Sequence, residues 1–122
     1  MKYRRLIERF ALLLMSLGAV YFVAYTAYSD LRSTRQRALF YQLQILRMGV
    51  NIYQLVDHSN PLTLKDLATK TYRLPGDVEQ KRYIEGLLVD DKGRIFDPFG
   101  SPYFYDPLTA WVRSTTVGYE FW

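Results

Sequence analysis

Phe10 to Tyr28 is a run of 19 residues without one charged side chain. As an α-helix it rises about 28 Å, close to the roughly 30 Å hydrocarbon core of a bilayer. Lys2, Arg4, Arg5 and Arg9 precede it, with Glu8 the only acid among them. Basic residues ahead of an apolar run hold that end in the cytoplasm. The expected topology is therefore a single pass, N-terminus inside and C-terminus outside. Tyr21, Tyr25 and Tyr28 share one helix stripe near the outer end, as an interfacial aromatic belt or as packing for a partner helix. A cleaved leader would have an apolar stretch of about 7–15 residues and a small-x-small cleavage site. Ala24-Tyr25-Thr26-Ala27 is a poor site, so a retained anchor is expected, with membrane lipid as its first partner.

This N-terminal segment also explains the net charge. The whole chain of 122 residues is +4, but residues 10–122 hold 12 basic and 11 acidic side chains. A nucleic-acid groove binder needs a basic stripe, and the body of this chain has none to spare, so no nucleic-acid partner is expected. The absence of cysteine excludes a disulfide framework and a thiolate metal site.

The helical pattern continues past the apolar run. Leu39, Leu43, Leu46, Val50 and Tyr53 recur at spacings of four and three, while Arg37, Gln44, Arg47, Asn51 and Gln54 take other faces. That is an amphipathic helix. It should end in the breaker cluster Asp57-His58-Ser59-Asn60-Pro61. Gly49 costs about 1 kcal/mol in an exposed helix interior, or else permits close backbone packing. The same spacings suit a coiled coil, but the repeat covers only about two heptads, and an aromatic-rich tail follows that needs a surface.

Beyond the helix the periodicity shortens. Thr63 before Lys65-Asp66-Leu67 reads as the cap of a short helix or turn. Leu87-Leu88-Val89 and Arg94-Ile95-Phe96 flank Asp90-Asp91-Lys92-Gly93, a hairpin signature. From Tyr83 on the pattern is one of short β-type runs: Tyr103-Phe104-Tyr105 reads as a strand, and Trp111 to Thr116 and Gly118 to Trp122 finish the chain. The aromatics Tyr103, Tyr105, Trp111, Tyr119 and Phe121 are expected to cover the amphipathic face. The predicted fold is α+β: a long N-terminal helix, half transmembrane and half amphipathic, packed on a small C-terminal antiparallel β-sheet. Its segments are a basic tip (1–9), a transmembrane helix (10–28), its amphipathic continuation (29–58) and an α/β region (59–122).

Little points to catalysis. Asp90, Asp91, Asp97 and Asp106 each sit in a turn that uses a carboxylate locally. His58, the one histidine, falls at a helix end, and Ser114 has no histidine or carboxylate pattern beside it. There is no phosphate-binding glycine loop. No enzyme activity, cofactor or metal is expected.

Four motifs together span most of the chain. Arg5-Leu6-Ile7-Glu8 leads into the apolar helix; Tyr53-Gln54-Leu55-Val56-Asp57 ends it, with Tyr53 lying 45 residues after Glu8. Asp97-Pro98-Phe99-Gly100-Ser101-Pro102-Tyr103 is a dense turn, and Val112-Arg113-Ser114 precedes Gly118. With these motifs the chain resembles the type IV pilin-like proteins, most closely the major pseudopilin of type II secretion systems. Asp97, Pro98, Phe99, Gly100, Pro102 and Tyr103 are the most specific part of that likeness. The resemblance implies a pilin-like fold in the bacterial inner membrane with the C-terminal domain in the periplasm. It also implies assembly into a filament with other copies or other pseudopilins, and contact with a secretion platform protein. Assembly would use Glu8, Phe10, Leu13, Leu14, Leu17 and Val20, together with the helix bearing Leu39, Leu43, Leu46, Val50 and Tyr53.

The sequence departs from the family at three places. Tyr3 and Arg4 stand where the peptidase glycine and the following Phe align, Tyr25 stands where the family has a helix-kinking Pro, and only Glu120 is acidic after Gly118. The first departure points to an unprocessed N-terminus, and the third to no calcium in the last loop. Glu8 either pairs with a neighbour's terminal amine, as the family implies, or with its own Arg4 or Arg5. The alternative to a filament subunit is an uncleaved, membrane-anchored accessory module that binds a partner through its aromatic sheet.

Overall fold

The computed structural model describes residues 2–122; Met1, where the basic tip was expected to begin, lies outside the described residues. The chain divides into two compact units, one ending at Thr34 and one running Arg35–Trp122. The protein is α+β. In chain order it contains α1 (Lys2–Asp57), α2 (Leu64–Thr69), β1 (Thr71–Tyr72), β2 (Lys81–Arg82), β3 (Phe104–Asp106) and β4 (Trp111–Arg113).

α1 continues as one helix because neither a proline nor a cluster of turn residues interrupts it before residue 58. His58 then takes the left-handed conformation (φ 53°) and its N–H closes the last turn onto the Gln54 carbonyl at 3.0 Å. The first unit is wholly helical over its described residues. The mean hydropathy of the helix's most apolar 18 residues is 1.9, and none of that window is buried. By length and composition it can cross a membrane.

The second unit has its own core. Leu39, Leu43, Leu46, Val50 and Tyr53 of α1 are buried with Leu64, Leu67, Tyr83, Ile84, Ile95, Tyr103, Val112 and Tyr119. The four–three spacing read from the sequence is thus one inward stripe, and Gly49 lies among it beneath Ile84. α2 begins with a capping box: Asp66 N–H donates to Thr63 Oγ1 at 3.4 Å and Thr63 N–H to Asp66 Oδ2 at 3.1 Å. Thr63→Ala is expected to destabilise this unit by about 1 kcal/mol, measurable as a shift in the denaturant midpoint of the full chain in detergent.

Three strand expectations need correction. The sheet is not single: β1 pairs antiparallel with β2, and β3 with β4, as two separate two-stranded sheets. The hairpin expected over 87–96 is reduced to a single bridge, Val89 with Ile95. Its turn forms as read, with Asp90 N–H to Arg94 O and Gly93 N–H to Asp90 O both at 2.9 Å. Its arms are cut short by Gly86 in a left-handed conformation on one side and the Asp97–Pro102 turn on the other. The segment 118–122 is a pair of turns, Tyr119 N–H to Thr116 O and Trp122 N–H to Tyr119 O, not a strand. Gly118 (φ 88°) starts the bend there, and its N–H donates to the Glu120 carboxylate at 2.8 Å.

The aromatic cover also differs in part. Tyr103 and Tyr119 are buried and Tyr105 is half-buried, but Trp111 is 52% exposed and Phe121 95% exposed. Strand alternation accounts for Trp111: Val112 points into the core, so its neighbours point out. Arg47 holds that edge from α1, donating to the Val112 carbonyl (3.1 and 3.3 Å) while its guanidinium covers the Trp111 ring at 4.8 Å.

Candidate functional site

Within the first unit, Glu8 accepts a hydrogen bond and ion pair from Arg4 Nε at 3.3 Å, one turn away. Both side chains are exposed, so in water the pair contributes little. Phe10, Leu13, Leu14, Leu17 and Val20 are all exposed. Tyr21 and Tyr25 stack on each other at 6.4 Å between ring centres. Ser16 and Thr26 donate to carbonyls three residues back, Leu13 O and Val23 O, each at 2.9 Å. Their hydroxyls are thereby satisfied without a partner chain, as an apolar medium requires.

Within the second unit, the Asp97–Tyr103 segment is a tight turn built around one carboxylate. Asp97 is only 5% exposed. Its Oδ1 accepts from the N–H groups of Phe99 (3.0 Å) and Ser101 (2.9 Å). Its Oδ2 accepts from the hydroxyls of Ser114 (2.9 Å) and Thr116 (2.5 Å). The turn closes with Gly100 N–H to Asp97 O at 3.0 Å, and Gly100 supplies the φ of 90° that other residues resist. Phe96 and Pro102 form an isolated bridge across it, and Thr115 donates to Pro102 O at 2.6 Å. Tyr103 reaches α1, its hydroxyl donating to Gln42 Oε1 at 2.8 Å; burial pushes that phenol well above its ordinary range. Phe99 stacks on Tyr119, and Tyr119 meets Trp122 edge-on. The motif is therefore a knot that ties three stretches of chain together.

Ser114 is not an isolated hydroxyl, as the sequence suggested. It is fully buried, donates to Asp97 and accepts from Thr116 N–H at 3.0 Å. Sequence reasoning missed Ser114 and Thr116 as partners of Asp97 because they lie 17 and 19 residues downstream. Asp90 and Asp106 occupy turns of their own. The Arg94 backbone N–H and then its guanidinium hold Asp90 below the ordinary carboxylate range, and the Thr109 hydroxyl followed by the Leu108 N–H does so for Asp106. Among the described residues no group of three or more His, Cys, Asp or Glu is placed to hold a metal ion.

The Tyr53–Asp57 ending is also explained. Lys70 Nζ donates to the Tyr53 hydroxyl at 2.7 Å and the Tyr83 hydroxyl donates to Asp57 at 2.8 Å. The Tyr53 and Tyr72 rings pack on Tyr83 at 4.9 and 4.7 Å. Leu39, Leu43, Leu46, Val50 and Tyr53, expected among the assembly residues, face this core, and Ile45, Ile52 and Val56 beside them pack against it in part. No family model, curated protein or solved structure matches the chain. The structure shows a long N-terminal helix, long and apolar enough to cross a membrane, whose C-terminal part packs with two small antiparallel sheets in an α+β arrangement compatible with a pilin-like fold.

Proposed function

We infer that this chain is a pseudopilin-like structural subunit of a type II secretion filament, or of a related type IV pilus-like filament. It sits in the bacterial inner membrane by one pass, with its N-terminus cytoplasmic and its α+β unit periplasmic, and it assembles with other copies or other pseudopilins through its N-terminal helix. One observation carries this reading: a single helix buries no apolar side chain along its first part yet supplies the core stripe of a small domain with its last part. An apolar surface of that size needs lipid or neighbouring helices. Support comes too from the Asp97–Tyr103 turn, whose residues serve the fold in the way a family-specific structural motif would. Glu8 gives the helix one carboxylate to exchange from Arg4 to a partner on assembly.

A reporter fused after Trp122 tests the topology, and periplasmic activity is expected. Shearing and pelleting of cell-surface material tests the filament, and the chain should be recovered in the fibre fraction, with Glu8→Ala lowering that recovery more than it lowers membrane insertion. Tyr3 at the position of the peptidase glycine favours the second reading, an uncleaved accessory module. An intact mass that includes Met1, with the chain never found in the fibre fraction, would replace the first reading with the second.

A further inference from the structure

The second unit leaves one aromatic face uncovered. Val112 of β4 enters the core, so Trp111 and Arg113 turn outward, with Phe104 of β3 opposite Arg113. Phe40, Leu43, Arg47, Trp111, Phe121 and Trp122 line an open groove of about 360 Å³. Trp111 and Phe121 also line a second groove, of about 500 Å³, with Phe104 and Arg113. The rings of Phe40, Phe104, Trp111, Phe121 and Trp122 are between 44% and 95% exposed. At about 150–250 Å² per aromatic side chain, they show several hundred Å² of apolar surface, a patch of the size that marks an interaction site. The face also holds a cation without an anion. The half-buried Arg113 guanidinium lies over the Phe104 ring at 4.7 Å, and among the described residues it forms no ion pair. Two carboxylates line the same groove but are turned to other donors. Asp106 accepts from Leu108 N–H and the Thr109 hydroxyl, and Glu120 accepts from Gly118 N–H.

A complement to this face lies on the same unit. Leu88 projects from the 86–90 segment, 91% exposed. Glu85 and Asp91, three residues to either side, are exposed, and among the described residues neither forms an ion pair, although Lys92 adjoins Asp91. Gln42 lines the groove beside this segment, and it stands about 150° round α1 from Phe40 and Arg47. Patches on opposite flanks of one helix do not meet within a copy. A contact between them runs head to tail and continues from copy to copy instead of closing as a two-fold dimer. We propose that Leu88 of one copy seats against Trp111 and Phe121 of the next, bringing Asp91 to Arg113. Tryptophan and arginine are the side chains that most often anchor such contacts. A concave face that also carries Asp106 and Glu120 suits an apolar side chain with one acid nearby. It suits an anionic bilayer less, because lipid charge spreads over the whole contact. The aromatic patch is smaller than the roughly 800 Å² per partner of a stable free complex, so the contact acts between copies already confined to one membrane. It deepens the filament reading and rests on that reading's single-pass anchor, not on the fibre itself.

The absence of cysteine makes the test direct. Leu88→Cys and Phe121→Cys are placed in separately tagged copies of the full chain, co-expressed, and treated with a bismaleimide in native membranes. A cross-linked dimer carrying both tags is expected, while either variant alone should stay monomeric. Both substitutions in one chain should give a ladder beyond the dimer. Val78→Cys, at a position 88% exposed but outside both patches, should not replace Leu88→Cys. Arg113→Glu should lower the mixed yield about five-fold, and adding Asp91→Arg should restore it. Asp91→Arg alone, at an exposed site, should lower it as much without disturbing the fold. No mixed cross-link, dimers only between identical positions, or a yield indifferent to both charge reversals would overturn the proposal. So would lipid-like emission from a solvatochromic dye on Phe121→Cys, which would assign the face to the membrane. Fibres recovered without the mixed cross-link would remove this contact and leave the filament reading standing. A ladder without fibres would uphold the contact and remove the filament reading.

Discussion

Asp97→Ala is expected to cost about 4 kcal/mol, enough to unfold most of a small domain's population. The Asp97 carboxylate is buried, and among the described residues it has no cationic partner. Four donors carry it instead: two backbone N–H groups at one oxygen and two hydroxyls at the other. Truncation removes these charge-assisted bonds, and it strands donors in a place where water reaches them poorly. Asparagine separates the two halves of the site. Its carbonyl can still receive Phe99 N–H and Ser101 N–H, while its amide must ask the Ser114 and Thr116 hydroxyls to turn and accept. Asp97→Asn should therefore cost about 2 kcal/mol, roughly half as much. Trp111 and Trp122, the two tryptophans, both lie in this unit, so fluorescence-monitored denaturation of the full chain in detergent reads the difference. Equal losses for the two variants would mean that charge, rather than the donor count, holds the turn.

How far such a site can be read from sequence depends on the distance over which its parts act. The core stripe Leu39 to Tyr53 was legible because a helix repeats its inward face every three or four residues. The Thr63 cap was legible because its partner Asp66 is three residues away. The Asp97 turn was visible as a dense cluster, but the hydroxyls that complete it come from a later stretch with no local mark. β1 and β2 pair Thr71 with Arg82 and Tyr72 with Lys81. Two residues are too few to show alternation, so neither strand could be foreseen. Phe121 was misplaced for a different reason. Aromatic content signals a need for burial, yet says nothing of which side of the last bend a ring will take.

Gly49 is where helix propensity and packing give opposite signs. In an exposed helix interior, Gly→Ala stabilises by about 1 kcal/mol. At Gly49 an added Cβ would stand 2.5 Å from Ile84 Cγ2 and 3.0 Å from the Tyr83 carbonyl oxygen. The first contact can yield by a side-chain shift. The second involves backbone, and Ile84 N–H is committed to Leu67 O at 3.2 Å, so that segment resists displacement. Overpacking of this kind costs about 1–3 kcal/mol, and Gly49→Ala is expected to destabilise by about 1 kcal/mol net, with Gly49→Leu costing more than about 3 kcal/mol. Gly18, the other glycine of the same helix, has nothing within 4 Å of such a Cβ, so no clash opposes its substitution within one copy. Ile84→Ala removes the Cγ2 atom and opens the space above residue 49. Alone it should cost about 3 kcal/mol, but combined with Gly49→Ala the two losses should add to about 1 kcal/mol less than their sum. Strict additivity would place the clash at the Tyr83 backbone alone, and a stabilising Gly49→Ala would mean that α1 and the 83–84 segment do not pack this closely.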